Sequence, residues 1–436
     1  MGSIFNFLNN VWLDLKAENK EHSSFVPFIL LIATIPLSLG INNVFLILFA
    51  FSVVVKFQTN QFKFQHRLFL LIALFLLFAL SIFWSIDVVK SLNSLPKFIG
   101  LVLVPLLFML QKPFTKEQVQ KIINYYSYAM VLYVLFYLIK ATIRYFISGN
   151  SQVFFYHELV TEPVNAIHVS VFVAVAFFYF FNRVAKTTIE IVICFLLFGF
   201  LLLLSSKNIL IVYSALVGVN FYIVFRKKTQ KKPLAIIVSA IFILFVLFFG
   251  KIKERFNEEF QSNLVENIDA GSFNRNMQGV HVISIKEAWT NKKFTPNDYF
   301  PGTAFRVLQI RIFCELLSEE PIFWKGFGLN ASLNKLLEKE KYYNLYPGYG
   351  KFNFHNQYVQ NFAELGVIGF LLLLVILFIN TKKAFATKDF IHIAFAILMI
   401  SLFLTESFLW RQRGVLFFML FYCLFNVKKG FRLEKK

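Results

Sequence analysis

Apolar runs recur along almost the whole chain, separated by short polar breaks. A membrane helix needs about 20 mostly apolar residues, within a range of about 17–25. Twelve runs approximate that length: 25–39, 42–56, 67–84, 94–111, 122–146, 164–182, 188–204, 208–225, 233–250, 356–380, 389–409 and 412–427. The first two, joined by Gly40-Ile41-Asn42-Asn43, read as a hairpin, and only Ser205-Ser206-Lys207 separates the seventh from the eighth. The pattern predicts an all-α polytopic membrane protein with about twelve transmembrane helices and one large, mainly helical loop outside the membrane. In residue terms it divides into an N-terminal segment (1–24), spans one to nine (25–250), a loop domain (251–355), spans ten to twelve (356–427) and a basic tail (428–436). In the first segment Phe5, Leu8, Trp12 and Leu15 recur at helical spacing, so it is either an amphipathic helix on the membrane surface or a frayed tail.

Residues 251–355 form the one long stretch without a span. They should open with an amphipathic helix from Lys251 to Phe260, followed by helices over about Pro301–Ser318 and Ala331–Tyr342. Breaks fall at Pro296, Pro321, Gly326, Gly328, Pro347, Gly348 and Gly350. The segment has few aliphatic residues, so it is expected to lack a deep core of its own. It should cap the bundle and enclose a cavity at the outer leaflet.

Composition sharpens the class. Charged residues make up only 16% of the chain and apolar ones 58%, whereas a soluble domain carries roughly 25% charge. That excludes a soluble enzyme, a disordered chain and a nucleic-acid-binding domain. Cys194 and Cys423 lie in apolar runs, leaving Cys314 as a free thiol, and no disulfide is expected. The net charge of +20 is mostly an orientation signal. With the N-terminus inside, 23 of the 44 basic residues fall in cytoplasmic segments and seven in short outer loops. Both termini are therefore expected in the cytoplasm, with residues 251–355 outside the cytoplasmic membrane.

There is no Walker loop, dinucleotide fingerprint, zinc motif or paired-acid metal motif, so neither cofactor nor metal is expected. Polar residues concentrate instead where the loop re-enters the membrane, from His355-Asn356-Gln357-Tyr358 to Glu364-Leu365-Gly366-Val367-Ile368-Gly369. A His at the first turn of such a helix suits a proton acceptor near neutral pH; the plain alternative is a helix cap. Gly366 and Gly369 would permit close helix packing. Glu364 is half a turn out of phase with His355, so it either pairs with a base on another helix or orients the loop. Arg306 and Arg311 diverge around their helix. Arg311 has Glu315 at i+4, which leaves Arg306 the better phosphate ligand. Lys207 precedes span eight, whose N-terminus favours an anion, although it could simply snorkel. Arg411 and Arg413, with Glu406 nearby, could add to the same positive field or form an interfacial ion-pair network.

These motifs resemble the O-antigen ligase/polymerase superfamily of bacterial envelope proteins. The family's signature is an Arg, a helix, Pro-x-x-Gly-x-Gly-x-Gly, then His-Asn-x-Tyr and Glu-Leu-Gly-x-x-Gly. Arg306, Pro321, Gly326, Gly328, His355, Asn356, Tyr358, Glu364, Gly366 and Gly369 match it. Trp324 stands where the first glycine is usual, Ile310 where a Trp is common, and Lys207 replaces an Arg. Phe83-Trp84-Ser85-Ile86-Asp87 resembles a further stretch of the family. The resemblance implies a C-type glycosyltransferase-like fold. It also implies transfer of a glycan from undecaprenyl pyrophosphate to an acceptor, with His355 as general base and Arg306 and Lys207 on the pyrophosphate. Arg311, Asn356, Tyr358, Arg411 and Arg413 are the further candidate ligands for pyrophosphate or glycan, and Gly326, Gly328, Glu364, Gly366 and Gly369 the orienting set.

Within that family the acceptor is lipid A–core (a ligase), a growing glycan (a polymerase) or a protein hydroxyl (an O-oligosaccharyltransferase). One long outer loop between spans nine and ten favours the ligase. Outside the family, a flippase for the same lipid-linked glycan or a structural scaffold would also fit twelve spans. The polar residues cluster at one rim with no inverted repeat, which counts against a transporter.

Overall fold

The computed structural model describes residues 2–57, 62–160, 165–183, 186–204, 207–226 and 281–427. The span expected at 233–250, the helix expected at 251–260 and the basic tail lie outside these residues. Before the gap come α1 (Gly2–Glu21), α2 (Phe25–Ala33), α3 (Leu39–Val55), α4 (His66–Leu80, tightening to a 3-10 turn over Ser81–Trp84), α5 (Val88–Ser94) and α6 (Gly100–Leu110). They are followed by α7 (Lys116–Ser148), α8 (Tyr156–Val160), α9 (Ala166–Asn182), α10 (Thr188–Leu204) and α11 (Lys207–Arg226). An insert then carries α12 (Ile285–Thr290), α13 (Gly302–Glu319) and α14 (Ser332–Tyr343), and the chain closes with α15 (Gln357–Thr387), α16 (Phe390–Thr405) and α17 (Gln412–Asn426).

Among the described residues four stretches are long and apolar enough to cross a membrane: His66–Trp84, Val88–Leu110, Lys116–Ser148 and Gln357–Thr387. Six shorter apolar helices accompany them. The first expected run stops early, at Ala33, because the chain approaches Pro36, which disfavours helix in the residue before it. By contrast α7 is delimited at both ends. Thr115 and Gln118 form a capping box, and Gly149 closes the helix with φ 66°. The centre of the bundle is α17, in which every residue from Gly414 to Asn426 is buried. A helix apolar all round belongs inside, and Phe395 of α16 packs on its Phe417, Phe418 and Phe421.

Contacts between segments distant in sequence define two ends. At one, His22 meets the Lys112 carbonyl, Ser24 bonds Gln111, Asp14 and Glu18 of α1 pair with Lys121, and Tyr422 reaches the Arg67 carbonyl. At the other, Gln412 bonds Asn43, Arg413 donates to the Leu37 carbonyl, and Asn208 holds Ser401 and Thr405. The first group joins segments the charge pattern puts inside; the second joins segments it puts outside. The N-terminal segment is an ordered helix docked on α7, with Phe5 and Trp12 left exposed.

The insert corrects one expectation. It has its own core, a cluster separate from that of the bundle, built from Phe294, Phe300, Leu308, Ile312, Leu316, Leu336, Tyr343, Phe354 and neighbours. Aromatic rings supply the area that scarce aliphatic residues do not. Its helices α13 and α14 fall where the sequence places them. The short α12, capped by Ser284 and Glu287, and a two-residue parallel bridge between His281–Val282 and Asp298–Tyr299 are additional to the expected elements.

Candidate functional site

The motif residues separate into two clusters at opposite ends of one short helical segment. The C-terminal cluster is made of backbone. Inside α15, Gly366 leaves the helix with φ 67° and ψ −164°, so the carbonyls before it lose their helical partners. The insert supplies replacements: the Phe327 and Gly328 N–H groups donate to the Ala363 and Glu364 carbonyls at 2.8 and 2.9 Å, and the Val367 N–H donates to the Phe323 carbonyl at 2.8 Å. Backbones approach so closely that a Cβ on Gly326 would lie 2.3 Å from the Glu364 carbonyl carbon, and one on Gly366 2.3 Å from that of Trp324. The close approach expected of Gly366 is therefore made to a loop, at a break, rather than to a helix face. Gly328 abuts Ser85, and Gly369 faces the Leu365 side chain of its own helix.

The Phe83–Asp87 stretch completes this clamp. The Ile86 N–H donates to the Phe327 carbonyl, the Trp84 indole to Lys325, and Asp87 accepts from Asn334. Glu364 is fully buried and accepts from Ser332 and Gln360 at 3.0 and 2.8 Å. Through Ser332 it ties α14 of the insert to α15.

The N-terminal cluster is built on the end of α16. Asn356 caps α15 with its side-chain oxygen on the Tyr358 and Val359 N–H groups, and its amide donates to the Leu404 carbonyl at 3.1 Å. The Tyr358 hydroxyl donates to the Ile400 carbonyl, Asn208 to Ser401, and Arg306 Nε to Thr405 at 2.8 Å. Side chains from three other helices and the α15 cap thus collar the last turns of α16, whose terminal carbonyls have no helical partner.

The collar fixes Glu406, the next residue. Its Oε1 lies 3.5 Å from His355 Nδ1 and 3.7 Å from Arg306 Nη2. His355 and Arg306 keep 23% and 27% of their side-chain surface exposed, against 9% for Glu406. His355 itself is held in the left-handed region at φ 46°, where a residue with a Cβ is strained, and its N–H donates to Asn353. Its ring lies against Phe305 and Phe352, at 5.6 and 5.9 Å between centroids. With Nδ1 turned to the carboxylate, Nε2 remains to take a proton. The 3.5 Å approach is longer than an aligned hydrogen bond, as such pairs often are before substrate binds.

The structure brings His355 and Arg306 together and adds Glu406, which sequence places only near Arg411. The signal available was an acid closing a long apolar helix. Asn356 and Tyr358 hold the collar. Arg311 belongs elsewhere, for a physical reason: its guanidinium is taken up by Glu315 at 3.0 Å, the Ala288 and Asn291 carbonyls and the Tyr343 ring. Ser205, Ser206 and the Lys207 side chain lie outside the described residues. Lys207 does head α11, next to Asn208, whose amide reaches Thr405. Arg411 and Arg413 line a cavity of about 200 Å³ with Leu39, Asn165, His168 and Gln412. The His168 ring packs on Phe408 at 4.4 Å, so the cavity is built on the segment that carries Glu406.

Fold and site together define a helical, membrane-type protein with a His–Glu–Arg cluster where its helices end. Residues 192–374 match the family model described as O-antigen ligase, which supports a likeness of this region to the O-antigen ligase superfamily. The matched region runs from α10 into α15 and takes in Arg306, His355 and the glycine clamp. No curated protein matches the chain.

Proposed function

We propose that the chain transfers an O-antigen glycan from undecaprenyl pyrophosphate to lipid A–core, on the periplasmic face of the bacterial inner membrane. The observation that carries this reading is the meeting of His355, Glu406 and Arg306 at one partly exposed point. Glu406 orients the imidazole, and Nε2 accepts the proton of the acceptor hydroxyl as its oxygen attacks the anomeric carbon. The bond from that carbon to the diphosphate oxygen breaks, and the diphosphate leaves with the electron pair. Charge grows on the leaving oxygens, where a fixed guanidinium stabilises it more than in the ground state. Arg306 is that group, joined by Lys207. The basic cavity of Arg411 and Arg413 is the seat for the remainder of the diphosphate or the first sugar. Attack from the face opposite the leaving group inverts the anomeric centre.

The test is reconstitution of the full chain with lipid-linked glycan and lipid A–core in the absence of ATP. Covalent glycolipid product from the wild type and at least about a hundredfold less from His355→Ala, with both proteins folded, is the expected result. Movement of the donor across the bilayer without a new glycosidic bond would overturn the reading in favour of a flippase. Product on a glycan chain or on protein would reassign the acceptor within the family.

A further inference from the structure

Phe323 and Trp324 expose 47% and 66% of their surface at the tip of the insert, with exposed Lys325 beside them. The tip sits at the head of a column on α15. The Phe323 carbonyl accepts from the Val367 N–H, and below it Ile368, Leu371, Val375 and Phe378 are exposed at helical spacing. A second column rises on α4 through Leu76 and Leu80 to Phe83, which is 87% exposed. The two columns meet at the tip, where the adjacent Trp84 indole donates to the Lys325 carbonyl at 2.8 Å. Both columns belong to stretches long and apolar enough to cross a membrane.

An aromatic pair and a cation at the end of an apolar helix face is the composition of a membrane–water boundary. Indole rings settle at headgroup level there, and a Lys reaches phosphate. A protein partner would have to cover the tip and then run down two lipid-facing columns. We propose that Phe323-Trp324-Lys325 anchors the insert to the bilayer interface, with phospholipid as its partner. The usual family pattern has glycine at position 324, so this contact is built by a residue in which the chain departs from that pattern. The anchor also fixes the depth of the His355 cluster, which stands one nine-residue helical segment away, roughly 13 Å at 1.5 Å per residue. The inference stands independently of the transfer reading.

The experiment uses the full chain in phosphatidylethanolamine/phosphatidylglycerol nanodiscs. Cys194 and Cys423 are buried, so in a Cys314→Ser background a nitroxide is attached at Trp324→Cys. A water-facing control label is attached at Glu338→Cys, whose parent side chain is 63% exposed. Collisions with oxygen should dominate over those with a water-soluble nickel chelate at 324, and the order should reverse at 338. Equal nickel access at the two positions would overturn the proposal. So would an immobilised label at 324 that neither collider reaches, which would mean a protein partner. A second measurement covers failure of the Cys variant to fold. Brominated phospholipid should quench wild-type tryptophan fluorescence more than that of Trp324→Phe, and identical quenching would sink the anchor.

Discussion

The nine residues from Gln357 to Leu365 separate two clusters that the sequence presents as one motif. At one end His355, Arg306 and Glu406 are charged or titratable, keep some exposure, and include a strained backbone. At the other, Gly326 and Gly366 are backbone against backbone with no room for a methyl group, and Glu364 is sealed from solvent. Both clusters belong to the same residue pattern, yet one stays partly open to solvent and the other is closed by backbone contact. Exposure and partners therefore separate motif residues that sequence puts side by side: Asn356 and Tyr358 stand next to His355, yet their polar groups are spent on the end of α16.

The sharpest way to break this contrast is to compare substitutions at its two ends. His355→Ala should lower transfer by about 10²–10⁴-fold, the range for loss of a general base, with little change in thermal unfolding. Gly366→Ala should do the reverse. Its left-handed φ and the Trp324 carbonyl carbon in the way should cost about 3 kcal/mol or more of stability, read as lowered thermal stability in detergent. Equal melting temperatures for the two variants would erase the distinction. Glu406→Gln keeps the volume but removes the charge that orients His355. It should cost about 10–100-fold in kcat with a much smaller change in KM, the scale seen when an orienting partner is lost.

Arg311→Ala sharpens the boundary of the site. It should destabilise the insert by about 1–3 kcal/mol, since Glu315 and two carbonyls lose a partner, while the folded fraction keeps its kcat. A selective fall in kcat would return Arg311 to the chemistry. The smallest effect expected is acid loosening of the insert. Burial works against the Glu315 carboxylate, but bonds from Tyr343 and Lys339 and the Lys339 and Arg311 charges outweigh it and lower its pKa. The Lys90 N–H and the Asn334 amide do the same for Asp87. A lowered folded pKa means stability present above the ordinary carboxylate range and lost as pH falls through the folded value. Tryptophan emission should therefore shift between about pH 5 and pH 3, and a flat profile would contradict the ion-pair account.

Much of the bundle was legible because membrane helices need long apolar runs, and the run lengths alone fix where most of them lie. The helices α13 and α14 were legible for a related reason, through spacing and Gly/Pro breaks. His355 and Arg306 stood out as polar residues where an apolar chain had little cause to place them. The core of the insert is hard to read from the sequence because much of its area is aromatic, which an aliphatic count leaves out. Glu406 was missed because it lies 51 residues beyond His355 in sequence, and no local spacing links them.

What the sequence determined by itself was therefore periodic or compositional: helices, breaks, the polar rim and the residues able to carry charge. Only the tertiary structure decided which of those residues meet. It paired His355 with Glu406, tied Arg311 into the insert and turned two glycines into a backbone clamp. The reason is physical. Local pattern is set by burial and backbone geometry within a few residues, whereas partners are chosen by which helix ends must share their unsatisfied carbonyls and charges once the bundle has closed.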